Sequence, residues 1–242
     1  MPKSQKSMKE IKFLPILTTV TMGGEASDWR ARIEEIKKLG LKEIALFPTA
    51  LVREERYELY EELKKLSLER IPFVHLRTDM EVEEIDYLVE NFKTEIFNIH
   101  TTINWPLLHD YSKYAKQIFI ENGGQTVPTE EELNKFAGLC IDFSHWENNV
   151  ILGDVEYDKQ MKERIQKYIV GICHLSVIKE EPIPDRFNDR ELQYDSHLLE
   201  KTQELDYLKK YAQYIPAVCA IELENSIEQQ LEVKQYLENN LK

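Results

Sequence analysis

Several short apolar runs of this chain end on, or close to, a side chain that can bind a metal or move a proton. In IPFVHLRTD the residue is His75, in EIFNIHTT His100, and in QIFIENG Glu121. In GLCIDFSHW it is Asp142 with His145 just beyond, in IVGICHLSVI His174, and in AVCAIELE Glu222. Asp195 and His197 follow in the motif YDSH, on a long connection that could fold back over the others. Only His109 of the 6 histidines stands outside this set. Imidazoles and carboxylates around a cavity form a ligand set for zinc, manganese, cobalt or a similar divalent ion. Glu121, Asp142 and Glu222 gathered at one place would also repel one another, which is a second reason to expect a cation.

These residues are far apart in sequence, so the fold has to bring them together. Eight strand-like runs can be read, beginning with IKFLPILTTV and KEIALFPT, and they alternate with amphipathic segments such as DWRARIEEIKKLG, REERYELYEELKKL and EVEEIDYLVENF. Thr129 with Glu132, and Ser226 with Gln229, have the capping-box spacing of helix starts. Gly40 stands where a C′ glycine would close the first helix. Strict alternation implies parallel strands with right-handed crossovers. Eight such units in 242 residues fit a single α/β domain, a (β/α)8 TIM barrel over residues 1–242, with residues 1–9 expected to form a flexible tail. The fingerprint G-x-G-x-x-G is absent, and no nucleotide cofactor is expected. In a barrel all strand C-termini meet at one mouth, so a polar residue at each end becomes a cluster.

Composition narrows the function classes. Lys plus Arg number 31 against 44 Asp plus Glu, a net charge of -13, and no basic block suggests a nucleic-acid tail. Cys140, Cys173 and Cys219 lie in apolar runs without zinc-pair spacing and read as reduced core thiols. No apolar run approaches the roughly 18 residues of a membrane span, and the start lacks the pattern of a signal peptide. A cytoplasmic protein acting on a small molecule, with no membrane partner and its oligomeric state left open, is expected.

The motifs FIENGG, GLCIDFSHW, ICHLS, YDSHLLE and AIELEN, in this order, resemble the strand-end motifs of the xylose-isomerase-like TIM-barrel superfamily. That superfamily includes sugar isomerases and epimerases and the endonuclease IV branch of apurinic-site endonucleases (AP endonuclease family 2). The resemblance covers roughly residues 70–240. It implies that Glu121, Asp142, His174 and Glu222 ring one metal, and it selects Glu222 over Glu224, two residues on along the same strand face. In the isomerase branch Glu121 and Glu222 would be the acid and base on opposite faces of a sugar or related polyol, with His145 and His100 contacting substrate. In the nuclease branch His75, His100, His145, Asp195 and His197 would hold two further zinc ions.

A residue of the right type stands at each of the nine positions, which favours a multinuclear site. Other features favour the isomerase. Ser196 replaces the arginine expected between Asp195 and His197, LRTD follows His75, and HLS stands where the nuclease has HLND. No basic stripe is present to grip a duplex, so nucleic acid is not the expected partner. A barrel that keeps its ligands and only binds a small molecule is the third reading. Asn122 and Gln125 lie in the turn sequence NGGQ and are further candidates to donate to substrate.

Overall fold

A computed structural model describes residues 11–20, 28–185 and 190–241. The tail expected over residues 1–9 lies outside the described residues. The chain forms a closed parallel barrel of eight strands: β1 (Lys12–Thr18), β2 (Glu43–Phe47), β3 (Arg70–His75), β4 (Ile96–His100), β5 (Ile118–Glu121), β6 (Gly138–Asp142), β7 (Val170–Leu175) and β10 (Val218–Ile221). Strands β8 (Val177–Pro184) and β9 (Leu192–Ser196) make a separate antiparallel hairpin. The helices are α1 (Trp29–Leu39), α2 (Arg53–Lys64), α3 (Val82–Phe92), α4 (Glu130–Lys135), α5 (Phe143–Ile151), α6 (Val155–Lys167) and α7 (Ile227–Asn240).

The barrel strands are apolar because both of their faces are covered. Leu14, Ile16, Phe47, Phe73, Ile172 and Ala220 fill the interior. The outward side chains, among them Leu17, Leu46, Val74 and Ile141, pack with the helices in a second, larger cluster. Gly171 marks a close approach inside the barrel, since a Cβ there would come within 2.1 Å of the Phe119 ring. The seam between first and last strands closes through Lys12↔Val218 to Pro15↔Ile221. A buried amide on α7 locks it: the Ile16 N–H donates to Gln230 Oε1 at 2.7 Å, and Gln230 Nε2 donates to the carbonyls of Ile16, Leu223 and Asn225.

The local start and stop signals act as the sequence suggests. Thr129 Oγ1 accepts from the Glu132 N–H while Glu132 Oε2 accepts from the Thr129 N–H. Ser226 and Gln229 make the same reciprocal pair. Gly40 adopts φ 61° after α1, the left-handed geometry of a C′ glycine. Two connections differ from a plain helix or loop. Between β4 and β5 the chain has only a 3-10 turn at Ser112–Tyr114. After β7 the long connection is built, as the β8–β9 hairpin followed by a 3-10 helix over Thr202–Tyr214. Among the described residues no helix is long and apolar enough to cross a membrane.

Candidate metal centre

Each barrel strand from β3 onward delivers an imidazole or a carboxylate to the mouth. β1 brings the hydroxyl of Thr18 and β2 the apolar ring of Phe47 instead. Phe47 packs against the rings of His75 and His174, with centroids 5.2 and 4.9 Å away. Glu121, at the end of β5, is the centre of the arrangement and is buried. Asn98 Nδ2 donates to its Oε2, and His75 Nε2 lies 3.1 Å from the same oxygen. His174 Nδ1 stands 3.2 Å from Glu121 Oε1 and 3.1 Å from Glu222 Oε2.

Three groups of candidate ligands share Glu121. Glu121, Asp142, His174 and Glu222 place ligand atoms within 4.8 Å of one another, as do His75, His100 and Glu121. So do Glu121, Cys140 and His174, where burial pushes the Cys140 thiol up to about 12 and disfavours it as a ligand. Their chemistry fits a cation. Asp142 Oδ2, Glu222 Oε2 and His174 Nδ1 are buried and make no well-formed hydrogen bond, although His174 Nδ1 lies within ion-pair distance of Glu121 and Glu222. Buried polar atoms left without a hydrogen bond are costly and rare. His75 Nδ1 is 2.9 Å from the Leu76 carbonyl and so is the donor there, which turns Nε2 to Glu121 Oε2. A backbone carbonyl that fixes the tautomer in this way is a usual partner of a metal-binding imidazole.

The electrostatics follow from crowding. Burial opposes ionisation of Glu121, yet the imidazoles of His174 and His100 hold it well below the usual carboxylate range. Glu222 is half-buried; burial opposes its ionisation too, but His197 and His174 bring it down to about 2. Asp142 goes up, because burial and the charges of Glu222 and Glu121 outweigh His145 and His174. His174 resists the burial that disfavours its charge and is raised well above the ordinary imidazole, with Cys140, Glu121 and Glu222 around it. His174 and His145 are thus the imidazoles whose charge the carboxylates favour, while burial pushes His100 down to about 4; a divalent ion would take over that balancing role.

The remaining sequence candidates fall into place unevenly. His145 sits in the first turn of α5, which Asp142 caps: Asp142 Oδ1 accepts from the His145 N–H at 2.9 Å. His145 Nδ1 lies 2.6 Å from Asp195 Oδ2, delivered by β9. Burial disfavours the imidazolium, but Asp142 and Asp195 together raise it to about 10. His197 Nε2 is 3.9 Å from Glu222 Oε1. Among the described residues His145, Asp195 and His197 do not close into a further group of that tightness. Glu222 lines the cavity whereas Glu224 does not, and the Glu224 N–H is bonded to the His197 carbonyl.

One expectation is corrected. Asn122 is fully buried and does not face the cavity: its amide bridges the Asp142 N–H and carbonyl and donates to the Tyr157 hydroxyl. It braces β5 against β6, because a buried amide next to a free peptide N–H and carbonyl is satisfied there first. His109 is absent from the cavity lining. Two contributors escaped the sequence reading. Asn98 lies two residues before His100, so strand alternation puts it on the same face, and that period-2 signal could have found it. Ser144 donates to Asp142 Oδ1 at 2.7 Å and contacts Ser176, but neither serine stands out in sequence.

No family model matches the chain, and no curated protein matches it. Solved structures do. A xylose isomerase-like TIM barrel protein from Mycobacterium smegmatis, in complex with magnesium, aligns over 97% of this chain and 97% of its own with TM-score 0.51 and 12% identity. A probable 3-DHS dehydratase of petrobactin synthesis from Bacillus anthracis aligns over 93% and 99%, with TM-score 0.47 and 14% identity. A family 2 AP endonuclease from Brucella melitensis aligns over 95% and 98%, with TM-score 0.44 and 8% identity. Of these three, the mycobacterial barrel is the one close enough to speak for a shared fold. At 12% identity it shows the barrel fold alone.

Proposed function

We propose that this barrel of xylose-isomerase-like fold is a divalent-metal-dependent enzyme that isomerises or epimerises a sugar or related polyol. The observation that carries the reading is the four-residue group at Glu121, Asp142, His174 and Glu222, whose ligand atoms lie within 4.8 Å of one another, several of them buried without a hydrogen bond. The magnesium of the mycobacterial barrel is consistent with a hard divalent ion there, and manganese, zinc and cobalt suit the same donors. When bound, such an ion supplies Lewis-acid polarisation of a substrate carbonyl. The two glutamates do the proton work. One carboxylate of the Glu121 and Glu222 pair withdraws the proton from the carbon beside the carbonyl, and the other returns it. His174, between them, fixes their separation, and Asn98 and His75 hold Glu121 in its rotamer. His145 and His100 line the same cavity and are assigned to substrate hydroxyls.

A second reading, a zinc phosphodiester hydrolase, is favoured by the group at His75, His100 and Glu121, which would make Glu121 a bridging ligand. Metal content per chain, measured by elemental mass spectrometry on protein purified without chelator, separates the two. One ion per chain supports the isomerase, two or three zinc ions support the hydrolase, and a site empty after soaking in each metal sinks both. The variant His75→Ala gives an independent test. It is expected to keep the four-residue group loaded and to retain isomerase turnover within about tenfold. A loss on the order of 10³-fold would point to a second essential ion.

A further inference from the structure

The cavity at the mouth has a volume of about 420 Å³, within the range of small-molecule sites, and one wall is not explained by metal binding. The loop after β4 carries Trp105 into the cavity lining with 58% of its surface exposed. The other two tryptophans, Trp29 and Trp146, are 3% and 1% exposed, so Trp105 alone stays open to solvent. A large aromatic face left in water beside a binding cavity is a standing site for an apolar ligand surface. The loop is braced rather than loose. The Trp105 N–H donates to the Thr101 carbonyl, Asn104 Nδ2 donates to Thr126 Oγ1 at 3.1 Å, and the Leu108 N–H donates to the Thr78 carbonyl. Trp105 is thereby held beside His100, ring centroids 6.4 Å apart.

The rest of the lining fixes the charge of what fits. Thr49, Thr101, Asn104, Gln125 and Thr126 offer hydroxyls and amides, and no Lys or Arg is among the described residues that line the cavity. A phosphate or sulfate on the substrate would find no guanidinium or ammonium group there, and the imidazole of His145 is already held by Asp195 Oδ2 at 2.6 Å. We infer that Trp105 is a substrate-binding residue on which the C–H face of an uncharged, unphosphorylated polyhydroxy compound stacks, while the threonines and amides take its hydroxyls. The inference rests on the proposed isomerase reading and names its substrate class.

The test uses the full chain, with and without bound manganese, and a panel of unphosphorylated pentoses and hexoses beside their phosphate esters. Acrylamide quenching of tryptophan fluorescence reports mainly on Trp105, because the other two indoles are buried. The free sugars that bind are expected to shield it, and calorimetry with the same sugar is expected to show Kd raised about tenfold in Trp105→Ala and little changed in Trp105→Phe. Preferential shielding by phosphate esters, or sugar binding that leaves quenching and the Trp105→Ala affinity unchanged, overturns the inference. So does the absence of shielding by any sugar in either metal state. Elemental analysis reads the metal separately, so a loaded protein without shielding removes this inference while the metal reading stands. A protein that never loads metal removes that reading, and shielding in the metal-free state still decides this one.

Discussion

Replacing Glu121 by glutamine is expected to reduce kcat/KM by about 10³-fold or more while the barrel stays folded. Glu121 is the ligand common to all three candidate groups, and it is one of the two carboxylates assigned to proton transfer. An amide keeps the volume of the side chain and can still accept from Asn98, but it can neither bind a hard cation well nor carry a proton. The barrel core does not depend on this charge, but the metal-free mouth does to a small extent, because against its burial His174 and His100 hold Glu121 ionised. Thermal unfolding of metal-free Glu121→Gln is therefore expected slightly below the wild-type midpoint. Elemental analysis should show lowered metal occupancy. Unchanged turnover on an established substrate would remove Glu121 from the chemistry.

The largest expected effect on stability lies away from the mouth. Arg56 on α2 and Glu84 on α3 form a bidentate pair, with Nε to Oε1 at 2.6 Å and Nη2 to Oε2 at 2.7 Å, and their side chains are 1% and 0% exposed. Tyr60 donates to the same carboxylate at 2.9 Å, and Arg56 Nη1 donates to the Leu51 carbonyl at 3.0 Å. Arg56→Ala strands a buried carboxylate and opens a cavity, so it is expected to cost about 3–5 kcal/mol in urea unfolding. Replacing both partners by apolar residues, Arg56→Met with Glu84→Leu, is expected to recover most of that loss, because a matched buried pair is worth little more than good packing. A double variant no more stable than the single one would show that the network carries stability of its own. These helices flank β3, whose last residue is His75, so the comparison also reads how firmly that end of the mouth is held.

Both experiments depend on how sequence maps onto this fold. The periodic runs were legible because a strand covered on both faces must be apolar throughout, while an outer helix must be apolar on one stripe only. Capping pairs such as Thr129 with Glu132 were legible because both partners lie within one turn. The polar strand ends were legible for the same reason: a His or Glu closing an apolar run breaks a pattern that the core would otherwise enforce. Asn122 shows the limit of such reading. It sits beside Glu121 in a turn sequence, and only the β5–β6 register reveals that its amide serves Asp142 and Tyr157.

The sequence by itself therefore determined the alternation of strand and helix, the barrel that this alternation requires, and the set of side chains sent to its mouth. Those properties are local, since each depends on residues a few positions apart. The tertiary structure decided at what distances those side chains meet. It brought Glu121, Asp142, His174 and Glu222 together in the grouping that the strand-end resemblance implies, shared Glu121 with His75 and His100, and set His145 against Asp195 through a hairpin. It also stood Trp105 on the rim of the cavity. Distances between groups fifty or more residues apart are fixed by strand register, barrel closure and loop path, which arise from packing summed over the whole core.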